Sequence, residues 1–425
     1  MSFVDNAGIT RAKCVPASRL ARAAEVGVGS PRVLGVFQGD DRIAPAGDLS
    51  VPVGDLRLVP DLAALAGGLD GWGWAPADQH DQEGQPWSLC PRAFVKRMVE
   101  QARARSLEVE MAFEIEWYAE SADGEPVHSG PGYSLAAVAE SGPYLAETSR
   151  RLAAHGVRVE QLHAEYSPGQ LEISLGREGP LGAADHCVLA RHDIRSARAA
   201  TGFRASFSPL VREGMVGNGC HLHFSLWRGG ANLLGCDPAD SLGITPGGPF
   251  LPRGHRARAA GARLPGLLEP GFLHAPRAHP LDGSVRVLGS REPGDTGPVR
   301  PGIAGGAAGR SQRRAQAARR LRQSLPLRRR AHRRGAPWPR RPGGAAAEVT
   351  VDPATLADGE RERLGLEPLP GDLDEAAEAL EGSATLRVAL GEELHGAILA
   401  VRRGEAETTR PLSDDDLLAY YRWRY

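Results

Sequence analysis

Three short clusters of acidic and histidine side chains are the features of this sequence most able to do chemistry. The clusters are Glu114 with Glu116, Glu165 with Glu172, and His221 with His223. The first and third pairs are spaced two residues apart, so a β-strand would put both members of each pair on one face. The second pair flanks a Pro-Gly turn, which can bring both carboxylates to one point. Oxygen-rich ligation with one imidazole suits Mg2+ or Mn2+ better than zinc, so we predict a site for such cations.

Each cluster also has an ordinary structural explanation. A lone Glu-x-Glu on a strand is usually a solvated face, and the second pair could be the polar rim of a hairpin. His221 could be a core histidine whose ring nitrogens are satisfied. His223 and Ser225 would share its strand face, so one explanation would cover all three. Only the ordered combination of the clusters favours a metal site.

The composition of the chain limits its class. It has 425 residues and a formal net charge of −1, and this length favours two domains or one large elaborated domain. Its 5 cysteines never occur as Cys-x-x-Cys, so neither a disulfide framework nor a zinc ribbon is indicated. The chain does not open with a basic segment followed by an apolar run, and no apolar run is long enough to cross a membrane. We therefore expect a cytoplasmic protein without a membrane span.

Two patterns of apolar residues indicate how the chain is organised. Residues 1–95 have short apolar runs punctuated by Gly, Pro and Asp, which predicts a small β-rich domain. From Pro91 the apolar spacing becomes three and four, which predicts an amphipathic helix, and the same spacing recurs over residues 136–156 and 183–201. Helices would thus separate the strands that carry the clusters. We predict an α/β or α+β catalytic domain over residues 96–425.

Residues 252–345 differ from the rest of the chain. They are rich in Arg, Gly, Ala and Pro, and no acidic residue stands between Asp295 and Glu348. Such a composition is poorly suited to burying a core, so we predict disorder for this stretch. The Arg-rich run 310–341 could instead be a nucleic-acid-binding arm. It has a single aromatic residue and no recognition motif, so we do not expect nucleic acid as a partner.

The ordered clusters resemble the motifs of the glutamine synthetase family. The matching segments are Glu114-Ile-Glu116, Glu165-Tyr-Ser-Pro-Gly-Gln-Leu-Glu172 and Gly217-Asn-Gly-Cys-His221-Leu-His223-Phe-Ser225. The likeness extends to residues 4–13, 55–61, 390–394 and 420–425. It implies an α+β fold, with a small N-terminal β-grasp-like domain and a large catalytic domain whose curved antiparallel sheet is flanked by helices.

The resemblance also implies a role for each residue of the motifs. Two Mg2+ or Mn2+ ions would be held, one by Glu116, Glu165 and Glu172, the other by Glu114 and His221. The contacts with ATP would come from Glu160, His223 and Ser225, and the glutamate-binding loop would contain Gly217.

The reaction that the resemblance implies explains these residue types. Family members phosphorylate the γ-carboxylate of glutamate with ATP, and ammonia or an amine then displaces the phosphate. Metal ions neutralise charge on the transferred phosphoryl group, so no covalent protein nucleophile is required. The absence of a Gly-x-x-x-x-Gly-Lys loop therefore does not argue against ATP. Members assemble as rings with shared active sites, which implies a homo-oligomer.

The sequence also departs from the family pattern. Val216 stands where the family has a glutamate-binding Asn, and the spacing of the acidic pair matches the branch that joins glutamate to polyamines or other amines. Ammonia is therefore not assured as the acceptor. The family's substrate-binding arginines, its catalytic Glu, its last metal-binding Glu and its Asn-Pro-Tyr-Leu helix should lie within about residues 250–345, and the sequence has none of them there. The catalytic residues are thus unassigned, and a catalytically inactive regulatory or assembly subunit is an alternative.

We hypothesise that a shifted reading frame explains the missing motifs. Read one nucleotide later, codons permitted for residues 316–326 encode Lys-Pro-Arg-Asp-Gly-Ser-Ala-Asn-Pro-Tyr-Leu. The same shift at residues 281–288 permits Trp-Thr-Gly-Ala-Tyr-Ala-Cys-Trp, a plausible strand of the family. We interpret residues 252–345 as translated out of frame between two compensating indels, in the gene or in its sequencing. We therefore expect weak or no activity from the present chain.

Overall fold

The computed structural model describes residues 1–233, 356–363 and 370–425. Residues 1–233 and 370–425 fall in one compact unit, and residues 356–363 belong to another. The segment 252–345, for which disorder is predicted, lies outside the described residues. The division of the chain at residue 95 stays a prediction.

Small antiparallel sheets form the N-terminal part of the first unit. The strands are β1 (Ser2–Val4), β2 (Thr10–Ala12), β3 (Val28–Pro31), β4 (Asp55–Pro60), β5 (Ala66–Leu69), β6 (Trp72–Trp74) and β7 (Ala77–His80). Strand β1 pairs with β2, β5 pairs with β6, and β4 lies between β3 and β7. On β4, buried Leu56 and Leu58 alternate with exposed Asp55 and Arg57, as expected for a strand with one face on a core. Short helical segments connect these strands at Ala17–Arg19, Leu20–Val26 (α1), Arg32–Val36, Gly47–Ser50 and Leu62–Ala64.

A larger antiparallel sheet follows and carries the sequence clusters. Its strands are β8 (Glu108–Glu120), β9 (Val159–Ala164), β10 (Gln170–Leu175), β11 (Arg204–Ser206), β12 (Cys220–Arg228) and β13 (Ala231–Asn232). The order is β13-β12-β8-β10-β9, and β11 pairs with the end of β8. The sheet curls into an open half-barrel. The long strand β8 is therefore the common neighbour of the other strands that carry clusters.

Helices precede, interrupt and follow this sheet. Before and between its strands lie α2 (Pro91–Arg103), α3 (Leu135–Glu140), α4 (Gly142–Ala154), α5 (Pro180–Ser196) and α6 (Arg198–Thr201). The C-terminal helices are Asp358–Arg363, Leu373–Glu381, Ala384–Leu390, Glu392–Thr409 and Asp414–Tyr421. Helix α2 begins at Pro91, where the sequence predicts it, because proline suits the first helical position. The α+β class is confirmed, and no described helix is long and apolar enough to cross a membrane.

The main core lies on one face of the sheet. Ile115 and Trp117 of β8 and Ile173 of β10 are buried there with Tyr144 of α4 and Ile194 of α5. The glutamates that alternate with these residues along β8 and β10 must face the opposite way, because successive strand side chains alternate between faces. One face of the sheet is thus apolar and covered by helices, and the other carries the acidic cluster.

The C-terminal helices complete a second core with the N-terminal part. Leu394 and Ile398 of helix Glu392–Thr409 are buried with Val33 and Val36. On the same helix, Arg402 and Glu405 form a fully buried ion pair, with 3.0 Å between Nη1 and Oε2. The segments before residue 100 and after residue 370 therefore fold against each other.

The last residue of the sequence is also buried. Tyr425 is 1% exposed, and its hydroxyl donates a hydrogen bond of 2.9 Å to the carbonyl oxygen of Ala7. The backbone N–H of Phe207, just after β11, donates to the Tyr425 carbonyl oxygen over 2.8 Å. Tyr425 therefore joins the N-terminal part to the large sheet.

Candidate active site

Strand register brings most of the predicted ligands side by side. Glu116 of β8 stands opposite Glu172 of β10, which in turn stands opposite His163 of β9. On the other side of β8, Glu114 stands opposite His221 of β12. Side chains directly opposite each other on antiparallel strands have Cβ atoms about 5 Å apart. Four of the five predicted ligands and one additional histidine therefore share one patch of the sheet.

The fifth predicted ligand, Glu165, reaches the patch from the end of β9. The turn that follows it closes at Gly169, whose φ of 78° favours glycine, and the Glu165 N–H donates to the carbonyl of Gln170 over 2.9 Å. Ligand atoms of His163, Glu165 and Glu172 lie within 4.8 Å of one another. The hydroxyl of Tyr133 donates a short hydrogen bond to Glu165 Oε1. The Pro-Gly segment therefore turns the chain back as the sequence predicts.

Direct contacts connect the histidines to the carboxylates. His223 Nε2 lies 2.7 Å from Glu114 Oε2, and His221 Nδ1 lies 3.4 Å from Glu114 Oε1. His163 Nε2 lies 3.1 Å from Glu172 Oε1. Each histidine thus faces a carboxylate that the sequence assigns to a metal ion.

The surroundings of Glu116 fix its position. Gln170, which is fully buried, donates from Nε2 to Glu116 Oε2 over 2.9 Å and to the Gly217 carbonyl over 3.0 Å. A Cβ atom added at Gly219 would lie 2.6 Å from Glu116 Oε1 and 2.9 Å from His221 Nε2. Position 219 must therefore lack a side chain for both groups to stay where they are.

The electrostatics of the patch favour a bound cation. The four carboxylates are almost fully buried, with exposed fractions of 5% for Glu114, 8% for Glu116, 2% for Glu165 and 3% for Glu172. Burial is the main cause that raises the pKa of Glu116 to about 7. The charges of Glu165 and Glu172 act in the same direction, and a hydrogen bond from the Gly219 N–H and the charge of His221 act against it. Like charges this close are costly to bury unless a cation compensates them.

Histidine contacts change the other pKa values. Burial acts to raise the pKa of Glu114, but the hydrogen bonds with His221 and His223 outweigh it and lower that pKa far below its usual range. The contact with Glu114 raises the pKa of His221 despite burial. For His163, burial lowers the pKa, and the hydrogen bond and charge of Glu172 more than reverse this. The raised pKa values extend the pH range over which His163 and His221 carry positive charge.

The donor set fits a divalent cation. Glu172 Oε2 is buried and has no hydrogen-bond partner among the described residues. Carboxylate oxygens with a few imidazole nitrogens match the preferences of Mg2+ and Mn2+. An ion at this patch would satisfy the buried oxygen and offset the concentrated negative charge. Metal ligation by these residues stays a prediction.

The remaining predicted site residues lie at different distances from the patch. Gly217 lies beside it, where Gln170 holds its carbonyl oxygen. Ser225 lies farther along β12 opposite Glu110, and its Oγ accepts a hydrogen bond of 2.8 Å from Trp227 Nε1. Glu160 is exposed and forms a 2.9 Å ion pair with Arg158, outside the carboxylate patch. Their proposed contacts with ATP and glutamate stay predictions.

Sequence reasoning missed three residues of the patch. His163 contacts Glu172, Gln170 positions Glu116, and Tyr133 positions Glu165. One signal was present, because His163 precedes Glu165 by the same two residues that separate the members of the first and third clusters. Tyr133 lies in a loop far from any cluster in sequence, and no spacing indicates it.

Comparisons with known proteins agree with this geometry. The family model "Glutamine synthetase, catalytic domain" matches residues 88–246. The gamma-glutamylpolyamine synthetase GlnA3 of Streptomyces coelicolor is 37% identical in sequence, and the alignment covers 100% of this chain and 93% of that protein. The chain belongs to the glutamine synthetase family. Members of this family are carbon–nitrogen ligases. The chain therefore belongs to a family of enzymes, as the resemblance implies.

Other members of the glutamine synthetase family are similar over shorter or equal spans. A glutamine synthetase of Rhizobium leguminosarum is 30% identical over 53% of this chain and 52% of its own length. The crystal structure of a novel glutamine synthase homolog superposes with a TM-score of 0.75 and 26% identity, and the match covers 100% of this chain and 97% of that chain. The predicted fold is therefore confirmed. The catalytic-domain match ends at residue 246, just before the compositionally unusual segment begins.

Proposed function

We propose that this sequence encodes an ATP-dependent ligase that joins the γ-carboxylate of glutamate to an amine through a γ-glutamyl phosphate, with Mg2+ or Mn2+ as cofactor. The observation that supports it most is the convergence of four buried carboxylates and three histidines on one patch of the sheet. Buried like charges are uncommon without a cation. Family membership supports the same reaction class.

The residues of the patch would have two roles in this reaction, metal ligation and the positioning of the ligands. Glu116, Glu165 and Glu172 would hold one ion, and Glu114 and His221 the second. Divalent ions at such positions neutralise charge on a transferred phosphoryl group. Two residues that were not predicted from the sequence would position the metal ligands, because Gln170 donates a hydrogen bond to Glu116 and Tyr133 donates one to Glu165. Rigid placement of ligands by such contacts commonly sets metal affinity.

An amine rather than ammonia is the proposed acceptor. A relative that is aligned over the whole chain bears the name gamma-glutamylpolyamine synthetase. A glutamate–isopropylamine ligase of Pseudomonas is also similar, with 29% identity over 40% of both chains. Val216 supports this choice, because its apolar side chain cannot make the hydrogen bonds of an Asn at that position. We further propose a cytoplasmic homo-oligomeric ring, on the family resemblance alone.

The present chain would have weak or no activity. The substrate-binding arginines and the catalytic Glu should lie within residues 250–345, and the catalytic-domain match ends at residue 246. Loss of several contacts with substrate and phosphate forfeits transition-state stabilisation that metal ligands cannot replace. The same observation supports a second candidate, an inactive regulatory or assembly subunit. The nucleic-acid alternative depends on residues 310–341, which lie outside the described residues.

One experiment separates these proposals. Phosphate release would be measured with glutamate, ATP and Mg2+ or Mn2+ against ammonia, isopropylamine, putrescine and spermidine. The assay would use the present chain and a full-length chain in which the frame of codons 252–345 is restored. We expect amine-dependent release from the restored chain and little from the present one. Glu116→Gln should abolish release, whereas the matched variant Glu100→Gln, on the exposed face of α2, should not.

The outcomes of this assay distinguish the candidates. If the restored chain releases no phosphate with any acceptor in the panel, the proposed reaction is wrong and the inactive-subunit candidate gains support. If ammonia is preferred over every amine, the proposed acceptor is wrong while the ligase class stands. Activity of the present chain equal to that of the restored chain would contradict the reading-frame interpretation.

A further inference from the structure

Gln170 is the buried centre of the hydrogen bonds that hold Glu116 in the carboxylate patch. Its side-chain Nε2 donates to Glu116 Oε2 and to the Gly217 carbonyl oxygen. Its Oε1 accepts a hydrogen bond of 3.2 Å from the Ser167 N–H. Both ends of the side chain are therefore hydrogen-bonded, and Gln170 is 0% exposed. The side chain can hold Glu116 in place only while the Gln170 backbone keeps its own position.

The Gln170 backbone is held in part by a histidine that lies outside the metal motifs. His128 is 1% exposed, and its Nε2 lies 2.9 Å from the Gln170 carbonyl oxygen. The same oxygen accepts a hydrogen bond of 2.9 Å from the Glu165 N–H, which closes the turn after β9. A carbonyl oxygen has two lone pairs, so the imidazole and the amide N–H together satisfy it. His128 therefore contacts the turn at the bond that closes it.

The partners of the His128 ring show which nitrogen is the donor. A carbonyl oxygen can only accept, so the hydrogen of this bond must be on Nε2. Nδ1 is buried and has no hydrogen-bond partner among the residues that the structure describes. A donor is therefore needed only at Nε2. The ring serves as a single, directed hydrogen-bond donor to Gln170.

His128 is itself held between β8 and the turn. The preceding residue, Val127, donates a backbone hydrogen bond of 2.9 Å to the carbonyl oxygen of Ala119 in β8. The carbonyl oxygen of His128 accepts a hydrogen bond of 2.9 Å from the Gly169 N–H. A Cβ atom added at Gly169 would lie 2.5 Å from the Tyr118 ring, so this part of the turn is in close contact with β8. His128 thus joins the end of β8 to the turn through both its backbone and its side chain.

We infer that His128 is a positioning residue of the candidate metal site, which acts through Gln170 on Glu116. Its imidazole holds the Gln170 backbone, and the Gln170 side chain in turn holds the carboxylate. Groups that orient metal ligands from outside the ligand set commonly change metal affinity about tenfold or more when they are removed. The inference rests on the proposed metal site, and it does not depend on which amine is the acceptor.

The first test measures Mn2+ affinity by calorimetry in full-length variants of the present chain. His128→Leu removes the donor, whereas His128→Gln keeps an N–H donor on a side chain of similar length. We expect His128→Leu to weaken Mn2+ binding about tenfold or more, and His128→Gln to stay within about threefold of the unsubstituted chain. If the Leu variant does not fold, His128→Asn replaces it, because its shorter amide cannot reach Gln170, and the same loss is expected.

A second buried histidine provides the matched control. His395 is 2% exposed, and its Nε2 lies 3.2 Å from the Leu380 carbonyl oxygen within the C-terminal helices. His395→Leu should lower the free energy of unfolding in urea and leave Mn2+ affinity unchanged. A loss of Mn2+ affinity in His395→Leu equal to that in His128→Leu would show a general effect of destabilisation and would overturn the inference.

The route through Gln170 is tested by combining two substitutions. In a chain with Gln170→Leu, Glu116 has already lost its donor, so adding His128→Leu should weaken Mn2+ binding by less than about threefold. Effects on independent sites multiply instead. If His128→Leu costs the same factor of about ten with and without Gln170→Leu, the route through Gln170 is wrong.

Amide hydrogen exchange in the metal-free protein gives a result that does not depend on metal binding. We expect His128→Leu to speed exchange of the Glu165 and Gly169 N–H groups at least about threefold, and His395→Leu to leave it unchanged. If the unsubstituted chain binds no Mn2+ while His128→Leu speeds this exchange, the proposed metal site is wrong and the hold of His128 on the turn stands. If the unsubstituted chain binds Mn2+ and His128→Leu changes neither affinity nor exchange, the inference is wrong and the proposed metal site stands.

Discussion

The high pKa of Glu116 predicts that the metal-free protein loses stability as the pH rises. Burial raises this pKa from 4.5 to about 7. Between these values the folded state holds a proton that the unfolded state has released, so the free energy of unfolding falls with increasing pH. The pKa change corresponds to about 3 kcal/mol once the pH exceeds the folded value. Because Glu116 is 8% exposed, solvent screens little of this cost.

Neighbouring groups change with pH in ways that can be separated. The raised pKa values of His163 and His221 stabilise the folded state at low pH, and this contribution is lost as the pH rises through their folded values. It therefore acts in the same direction as Glu116. The lowered pKa of Glu114 stabilises the folded state above 4.5 and is lost only in more acidic solution. Over pH 5 to 8, substitution of Glu116 removes its own contribution together with its electrostatic coupling to His221.

The assay is urea unfolding at pH 5 and pH 8, with and without Mn2+. We expect Glu116→Gln to reduce the difference in the free energy of unfolding between pH 5 and pH 8 by about 2 to 3 kcal/mol. The control Glu100→Gln should leave that difference unchanged. Mn2+ should stabilise the unsubstituted protein at pH 8 and much less at pH 5, because the ion must displace the Glu116 proton. Equal stabilisation by Mn2+ at both pH values, together with an unchanged slope in Glu116→Gln, would refute this account of the patch.

Three further predictions follow from contacts in the structure. Gly219→Ala puts a Cβ 2.6 Å from Glu116 Oε1, so Mn2+ affinity in calorimetry should fall at least about tenfold; Gly142→Ala, with open space around it, should leave it unchanged. Gln170→Leu removes the donor to Glu116 and should also weaken Mn2+ binding about tenfold or more while the protein stays folded by circular dichroism. Arg402→Leu leaves the buried Glu405 carboxylate without its ion-pair partner and should lower the free energy of unfolding in urea by about 3 to 5 kcal/mol. A decrease of less than about 1 kcal/mol would contradict this prediction.

Local pattern was sufficient to predict the strands that carry the clusters. The two-residue spacing of Glu114 and Glu116 puts them on one face of β8, and their apolar neighbours Ile115 and Trp117 are buried on the other. Helix α2 also begins at Pro91, as its apolar spacing and proline predict. These features depend only on residues adjacent in the chain.

Features that depend on distant pairing could not be predicted in this way. His163 joins the patch because β9 pairs with β10 in a register that puts it opposite Glu172, and register between strands is set by the whole sheet. The predicted helix over residues 136–156 is divided at Ser141, whose hydroxyl bonds back to the carbonyl of Ala137 over 2.7 Å.

Under the reading-frame interpretation, the burial of Tyr425 makes the position of the second indel important. Its hydroxyl reaches Ala7, and the N–H of Phe207 bonds to its carbonyl oxygen. A single uncompensated slip of the reading frame would replace the terminal helices and this residue with unrelated sequence, and the N-terminal strands would lose the surface they fold against. Under the reading-frame interpretation, a second slip upstream of Glu348 would restore the frame before the terminal helices, so Tyr425 would keep its contacts with Ala7 and Phe207.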